Sequence, residues 1–211
     1  PDLRGYPADV AQIIVTKCAV TGCHNDASAY VAGGLNLTSW EKLFKGGNNT
    51  ACVIPYRPDF STLCYFTNTN PANGTVLNPT MPLNAKALSS TEYETLKNWI
   101  FQGAPDNSGF VKFSDNPQRK KFYVANQGCK VVTVFDQASL LPMRYITVAS
   151  GNETPHEIKL SPDKQYWYSI SIGGSSIKKF RTTDDAFVGE VQIPLGNYNT
   201  MTFTPDSKKA Y

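Results

Sequence analysis

The sequence predicts two domains, an all-α domain over residues 1–112 followed by an all-β domain over residues 113–211. Three observations predict this. The first hundred residues place apolar side chains at helical spacing between long loops rich in Gly, Asn and Pro. Residues 106–119, DNSGFVKFSDNPQR, have the Asp, Asn, Ser and Gly content of a linker. Beyond it, short runs of β-branched and aromatic residues alternate with turn residues at near-regular intervals.

The first helix is expected over 7–17, PADVAQIIVTK, where Val10, Ile13, Ile14 and Lys17 follow helical spacing and the helix delivers Cys18 at its end. A shorter helix is expected over 39–44, SWEKLF. The clearest helix is 89–101, SSTEYETLKNWIF. Ser89 followed by Glu92 fits a capping box, in which two side chains satisfy the free N–H groups of the helix start. Tyr93, Leu96, Trp99 and Ile100 form one apolar face, and Gly103 and Pro105 supply the stop.

Strands are expected at 121–124, 131–135, 144–148, 157–160 and 166–170. They repeat. Ser161-Pro162-Asp163 returns as Thr204-Pro205-Asp206, 43 residues on, and Tyr123 and Phe135 have counterparts in Tyr168 and Phe180, each 45 residues on. A period of roughly 40–45 residues with four short strands per unit is that of a β-propeller blade. Residues 120–211 resemble the YVTN family of propellers in the segments KKFYVANQGCKVVTVFD and PHEIKLSPDKQYWYSI, with Pro-His followed by Ser-Pro-Asp. On this reading the all-β part is an incomplete propeller of about two blades. Its open faces would be lined by Phe135, Ile146, Ile158 and Phe203, and further blades or another chain are expected to cover them.

Hydrophobic residues make up 41% of the chain and charged residues 18%, which argues against disorder and against a nucleic-acid binder. The net charge is +3 and the longest basic run is Arg119-Lys120-Lys121, too little for the surface that binds a nucleic-acid backbone. No stretch approaches the ~20 apolar residues of a membrane helix. The sequence begins without Met or a signal-peptide pattern and reads as a processed chain or a fragment.

The strongest chemical feature is Cys18-Ala-Val-Thr-Gly-Cys23-His24. Covalent haem attachment usually reads Cys-x-x-Cys-His: two thiols add across the haem vinyl groups and the adjacent His ligates iron. Here four residues separate the cysteines, and Gly22 eases the return. A disulfide, a buried cysteine pair or half a zinc site are the other readings. Zinc needs two further ligands, and Cys52 and Cys64, 12 residues apart, are no knuckle pair. Those two flank a Pro-rich loop, where a disulfide would suit an oxidising compartment and two free thiols are the alternative. Cys129 reads as unpaired. Thr80-Met81-Pro82-Leu83 precedes the capped helix. Met opposite His is the usual ligand pair of electron-transfer cytochromes c, and ordinary core filling is the other reading of Met81.

The order helix, Cys-Cys-His, loop, Met, helix is that of a class I cytochrome c. Residues 17–105 resemble the cytochrome c-like domains of bacterial surface and periplasmic proteins in the phrases GGLNLTSWEKLFKGG, VIPYRPDFSTL and TMPLNAKALSSTEYETLKNWIFQGAP. The resemblance implies one haem c, covalently held by Cys18 and Cys23, with His24 and Met81 as axial ligands. It places Leu35, Leu37, Trp40, Arg57 and Trp99 around the haem. It further implies electron transfer in the periplasm or on the outer cell surface of a bacterium, with a redox partner protein and possible membership of a larger membrane-associated or surface complex. The propeller would be a docking scaffold. The alternative is a reductase like the haem-c/haem-d nitrite reductases, with a second centre in the propeller. His156, in Thr154-Pro155-His156, stands where such a reductase carries a haem-ligating His, although the Arg-Asp-Gly phrase of that family is missing after Tyr168.

Overall fold

The computed structural model describes residues 2–48, 50–206 and 208–211. The chain divides into two compact units, one of Pro1–Asp115 with Ser139–Arg144 and one of Asn116–Ala138 with Tyr145–Tyr211.

Among its described residues the first unit holds four α-helices: α1 (Ala8–Lys17), α2 (Trp40–Leu43), α3 (Thr62–Thr67) and α4 (Ser90–Phe101). α1 buries Val10, Ala11, Ile13 and Ile14, the residues that 3.6-residue periodicity places on one face. α4 begins with the capping box: the Ser89 hydroxyl accepts from Glu92 N at 3.3 Å, and Ser89 N donates to the Glu92 carboxylate at 2.9 Å. Its buried face is Tyr93, Leu96, Trp99 and Ile100. α1 and α3 both pack against α4. Tyr6 meets Trp99 edge-on at 6.2 Å. Both buried indoles find acceptors, Trp40 Nε1 on Ala104 O at 2.9 Å and Trp99 Nε1 on Pro105 O at 2.8 Å, as burial of an N–H requires.

This is not the all-α domain that the sequence predicts over 1–112. The helices of this unit are 10, 4, 6 and 12 residues long; among the described residues no large all-α domain forms, and their regular structure is mostly β. The reason lies in the loops. Gly22, Gly33, Gly34 and Gly46 all have positive φ, and an α-helix cannot run through left-handed residues. α3 falls where no helix is expected: TLCYFT is β-branched and aromatic, with poor helix propensity, and its packing on α4 overrides that preference.

The second unit is β. The strands are β1 (Lys121–Asn126), β2 (Val131–Asp136), β3 (Pro142–Thr147, of which Tyr145–Thr147 belongs to this unit), β4 (Thr154–Leu160), β5 (Tyr166–Arg181) and β6 (Phe187–Asn197), in sheets of order β1-β2-β3 and β4-β5-β6. β1 and β2 form an antiparallel hairpin from Lys121↔Asp136 to Asn126↔Val131. β5 doubles back at Gly173, whose φ is +67°. Its ends meet where Thr182 N donates to Gln165 O at 2.9 Å, and Trp167 stacks on Phe180 at 4.0 Å. The two arms of β5 thus hold Tyr168 and Phe180 as β1 and β2 hold Tyr123 and Phe135. The repeat leads one to expect four strands per unit; the first sheet has three among the described residues, and in the second the two arms of β5 lie between β4, paired with the first arm, and β6, paired with the second. β6 lies where no strand is expected, because Gly189, Pro194 and Gly196 interrupt its sequence.

The repeat is clearest in its turns. Ser161 N donates to Tyr166 O at 2.9 Å and Tyr166 N to the Ser161 hydroxyl at 3.1 Å; Thr204 N donates to Lys209 O at 3.0 Å and Lys209 N to the Thr204 hydroxyl at 3.1 Å. In both turns the hydroxyl also donates to the carboxylate two residues on, Asp163 or Asp206. The sheet core is Val132, Val148, Trp167 and Phe180, with Tyr123, Ile146 and Ile158 packed against it. Phe135 stacks on Phe122 at 4.7 Å, and Phe203 lies 4.9 Å from Tyr168. Among the described residues no helix is long and apolar enough to cross a membrane.

Candidate functional site

α1 delivers Cys18, whose N–H still bonds Ile14 O at 3.0 Å. The chain then closes a tight loop. Cys23 N donates to Val20 O at 3.0 Å, and His24 N donates to Cys18 O at 3.1 Å. Gly22 sits at φ +81°, where an L side chain would be strained. Four intervening residues therefore still bring His24 back to Cys18.

His24 is fixed on both sides. Leu37 N donates to its carbonyl at 2.9 Å, and its Nδ1 lies 3.1 Å from Leu35 O. A carbonyl oxygen only accepts, so Nδ1 carries a proton, and in the neutral ring the lone pair is then on Nε2. No hydrogen bond is made by Nε2 among the described residues. This is the arrangement in which a backbone carbonyl orients a metal-ligating imidazole.

Met81 enters from the loop before α4, with its N–H on Phe66 O at 2.7 Å. Cys18, Cys23, His24 and Met81 all line one cavity of about 640 Å³, within the roughly 300–1,000 Å³ of ligand and cofactor sites. Leu35, Leu37, Leu63 and Phe66 supply apolar wall. Lys17 is the one ionic side chain on that wall among the described residues, and it pairs with Glu92. Gly34, between the wall residues Gly33 and Leu35, is packed tight; a Cβ there would lie 2.0 Å from Asn48 Oδ1.

Of the other expected site residues, Leu35 and Leu37 reach this cavity; Trp40, Arg57 and Trp99 do not line it. The two tryptophans are spent in the core beside α4. Arg57 pairs with Asp59 at 2.7 Å and lies over the Phe60 ring at 4.4 Å. Cys52, Leu63 and Phe66 line the cavity without having been foreseen there. Leu63 and Phe66 share a face of α3 at i, i+3, a signal that a six-residue helix is too short to make visible.

All five cysteines are free thiols, so neither Cys18–Cys23 nor Cys52–Cys64 forms a disulfide. Burial pushes the Cys18 thiol up to about 12, with the neighbouring Cys23 adding to it, and burial likewise takes Cys52 and Cys64 up to about 12. All three stay neutral at physiological pH. Among the described residues no three His, Cys, Asp or Glu side chains are grouped to hold a metal ion, so the further ligands of a zinc site are not assembled around Cys18 and Cys23. His156, in the second unit, is exposed, and its Nδ1 lies 3.1 Å from Gln127 Nε2. An amide nitrogen donates, so Nδ1 accepts and the proton sits on Nε2, the tautomer opposite to that of His24.

Solved structures similar to the chain include hydrazine synthase of Kuenenia stuttgartiensis, 24% identical over 43% of this chain and 25% of that one, with a TM-score of 0.39. They also include dihydro-heme d1 dehydrogenase NirN in complex with DHE, 15% identical over 96% of this chain and 42% of that one, again with a TM-score of 0.39. The chain spans 25% to 42% of the length of these structures. At such TM-scores neither likeness assigns a fold or a function. No protein-family model matches the chain, and no curated protein matches it.

Proposed function

We infer that this chain binds one haem c in the cavity of the first unit and transfers electrons outside the cytoplasm. The observation that carries the reading is the convergence of Cys18, Cys23, His24 and Met81 on one apolar cavity, with the His24 proton tied to Leu35 O. Cys18 and Cys23 would hold the group covalently, and His24 and Met81 would be its axial ligands. A haem iron with a protein ligand on each face supplies outer-sphere one-electron transfer.

The chain's own residues serve that role in definite ways. The carbonyl of Leu35 keeps His24 in the tautomer a ligand needs and fixes its ring. Thioether sulfur is a soft, neutral donor, and an axial Met raises the reduction potential. The apolar wall of Leu35, Leu37, Leu63 and Phe66 excludes water, which further disfavours the more highly charged oxidised state. Haem attachment needs reduced thiols, and Cys18 and Cys23 are both free. A redox partner protein and an extracytoplasmic location, in the periplasm or at the cell surface, belong to this reading.

Replacing Cys18 and Cys23 together by Ser is expected to abolish haem that survives denaturing electrophoresis. Haem staining of that variant at the wild-type level would overturn the attachment. Met81→Ala is expected to remove the weak absorption at the red end of the oxidised spectrum and to lower the potential, while covalent haem is retained. An unchanged spectrum and potential would remove Met81 from the iron. Cell fractionation should recover the haem-loaded protein outside the cytoplasm.

A further inference from the structure

The second unit contains a cleft of about 520 Å³ that plays no part in the haem reading. Three segments wall it: residues 117–121 leading into β1, the 161–165 turn between β4 and β5, and residues 181–183 after β5. The longest basic run of the sequence, Arg119-Lys120-Lys121, lies on the first. Folding adds Lys164 from the second and Arg181 from the third, and Asp163 is the one carboxylate on the wall among the described residues.

These groups divide into two sets. Lys121 is committed to the fold: its ammonium donates to Asp185 at 2.7 Å, Thr182 O at 2.8 Å and Thr183 O at 3.3 Å, which uses its three donors. Arg119 is likewise tied to the buried Asp136 at 2.9 Å. Lys120 and Lys164, by contrast, make no ion pair with any described residue, and both are exposed. Arg181 gives only its Nε to Asp184, at 2.9 Å, so its terminal guanidinium nitrogens remain available. Asp163 keeps its negative charge, with its Oδ1 held by the Ser161 hydroxyl and by Gln165 N at 3.0 Å, but Lys120, Lys164 and Arg181 outnumber it on the wall. The second segment is tied to the third by Thr182: its N–H donates to Gln165 O at 2.9 Å, and its hydroxyl proton is shared between Lys164 O at 2.8 Å and Gln165 O at 2.9 Å.

We propose that this cleft binds a small molecule bearing a phosphate group, held by Lys120, Lys164 and Arg181. A planar guanidinium fork with two mobile ammonium groups suits a tetrahedral dianion, since charge-assisted bonds to phosphate oxygens are among the strongest a protein makes. The volume admits a phosphate with an organic remainder, and the Tyr166 and Leu160 side chains on the wall offer that remainder an apolar surface. The site does not depend on haem.

The test is calorimetric titration of the full chain at low ionic strength with two probes, inorganic phosphate and glycerol phosphate. Saturable binding is expected, weakened about tenfold by Lys164→Gln and again by Arg181→Gln, and left unchanged by Lys208→Gln, a surface position outside the cleft wall. All three positions are exposed, so circular dichroism of the variants should match wild type. Tighter binding of the ester identifies an organic phosphate as the ligand; equal or tighter binding of the inorganic ion identifies free phosphate. No saturable binding of either probe, or equal affinity in Lys164→Gln, Arg181→Gln and wild type, would overturn the proposal.

Discussion

The carboxylate of Asp185 receives Lys121 Nζ at 2.7 Å, the Tyr123 hydroxyl at 2.8 Å and Trp167 Nε1 at 3.1 Å. Both ionic side chains are almost fully buried, 5% and 3% exposed. Burial, and then the Asp185 charge, pushes the Tyr123 phenol far up, so it remains a donor. Removing one member of such a pair leaves a buried charge without its counter-charge, at a cost of about 3–5 kcal/mol. Asp185→Ala should lower the urea midpoint accordingly, and the double variant Asp185→Leu, Lys121→Met should lower it less; equal losses would mean the charge is not the issue. Nothing local announces this network, because Lys121 and Asp185 lie 64 residues apart. The Cys-Cys-His order and Met81 are visible in the sequence because the chemistry dictates residue types at short spacing. The wall residues Cys52 and Phe66 are not, since only the folded chain brings them to Cys18.

Glu92 connects two helices. It accepts from Ser89 N at the start of α4 and pairs with Lys17 in the last turn of α1. Lys17 first, then the Ser89 N–H, holds its carboxyl down at about 2. A folded pKa below the unfolded one contributes stability that is present above the ordinary carboxylate value near 4.5 and is lost as pH falls through about 2. Glu92→Gln should therefore unfold at a lower temperature than wild type at pH 6, with the difference closing between pH 4.5 and 2; a gap independent of pH would exclude the linkage. Ser89→Ala should cost about 1 kcal/mol at pH 6 by removing the other half of the cap, and somewhat less at low pH, because the lost hydroxyl also donates to the Glu92 carboxylate at 3.0 Å. α4 is legible in the sequence nearly to the residue, because caps, face and stop are all local. α3 and β6 are not, since tertiary packing decides them against poor propensity in one and interrupting Gly and Pro in the other.

At the scale of the whole chain, two compact units are built by different means, short helices and loops around a cavity in one and hydrogen-bonded sheets in the other. The cavity of the first unit leaves apolar side chains without packing partners, which costs stability. A group attached to Cys18 and Cys23 would stay on the unfolded chain, but its packing and its axial ligation are made only in the native state and add stability there. On the haem reading, calorimetry of loaded and haem-free chain should show an upward shift confined to the transition of the first unit. A uniform shift of all unfolding, or none, would count against the cavity as the site. The Ser139–Arg144 stretch joins the first unit far from its neighbours in sequence. The contacts are those of Arg144, which donates to Lys112 O at 3.3 Å and lies 5.5 Å from the Tyr56 ring. No periodicity or composition could have indicated them.

The paired turns at Ser161 and Thr204 bear on how the chain reaches this state. Each is closed by bonds spanning five residues or fewer, so each can form on the microsecond scale or faster, ahead of any distant pairing. A turn that sets itself fixes which residues of its flanking segments face one another. Register is then inherited from the turn rather than searched for. Two such turns with one grammar also carry a kinetic risk: a segment leaving one is chemically suited to the partner of the other. Swapped pairing between repeats, within one chain or between two, is thus the natural misfold of this chain; the intermolecular form should make refolding yield fall as protein concentration rises.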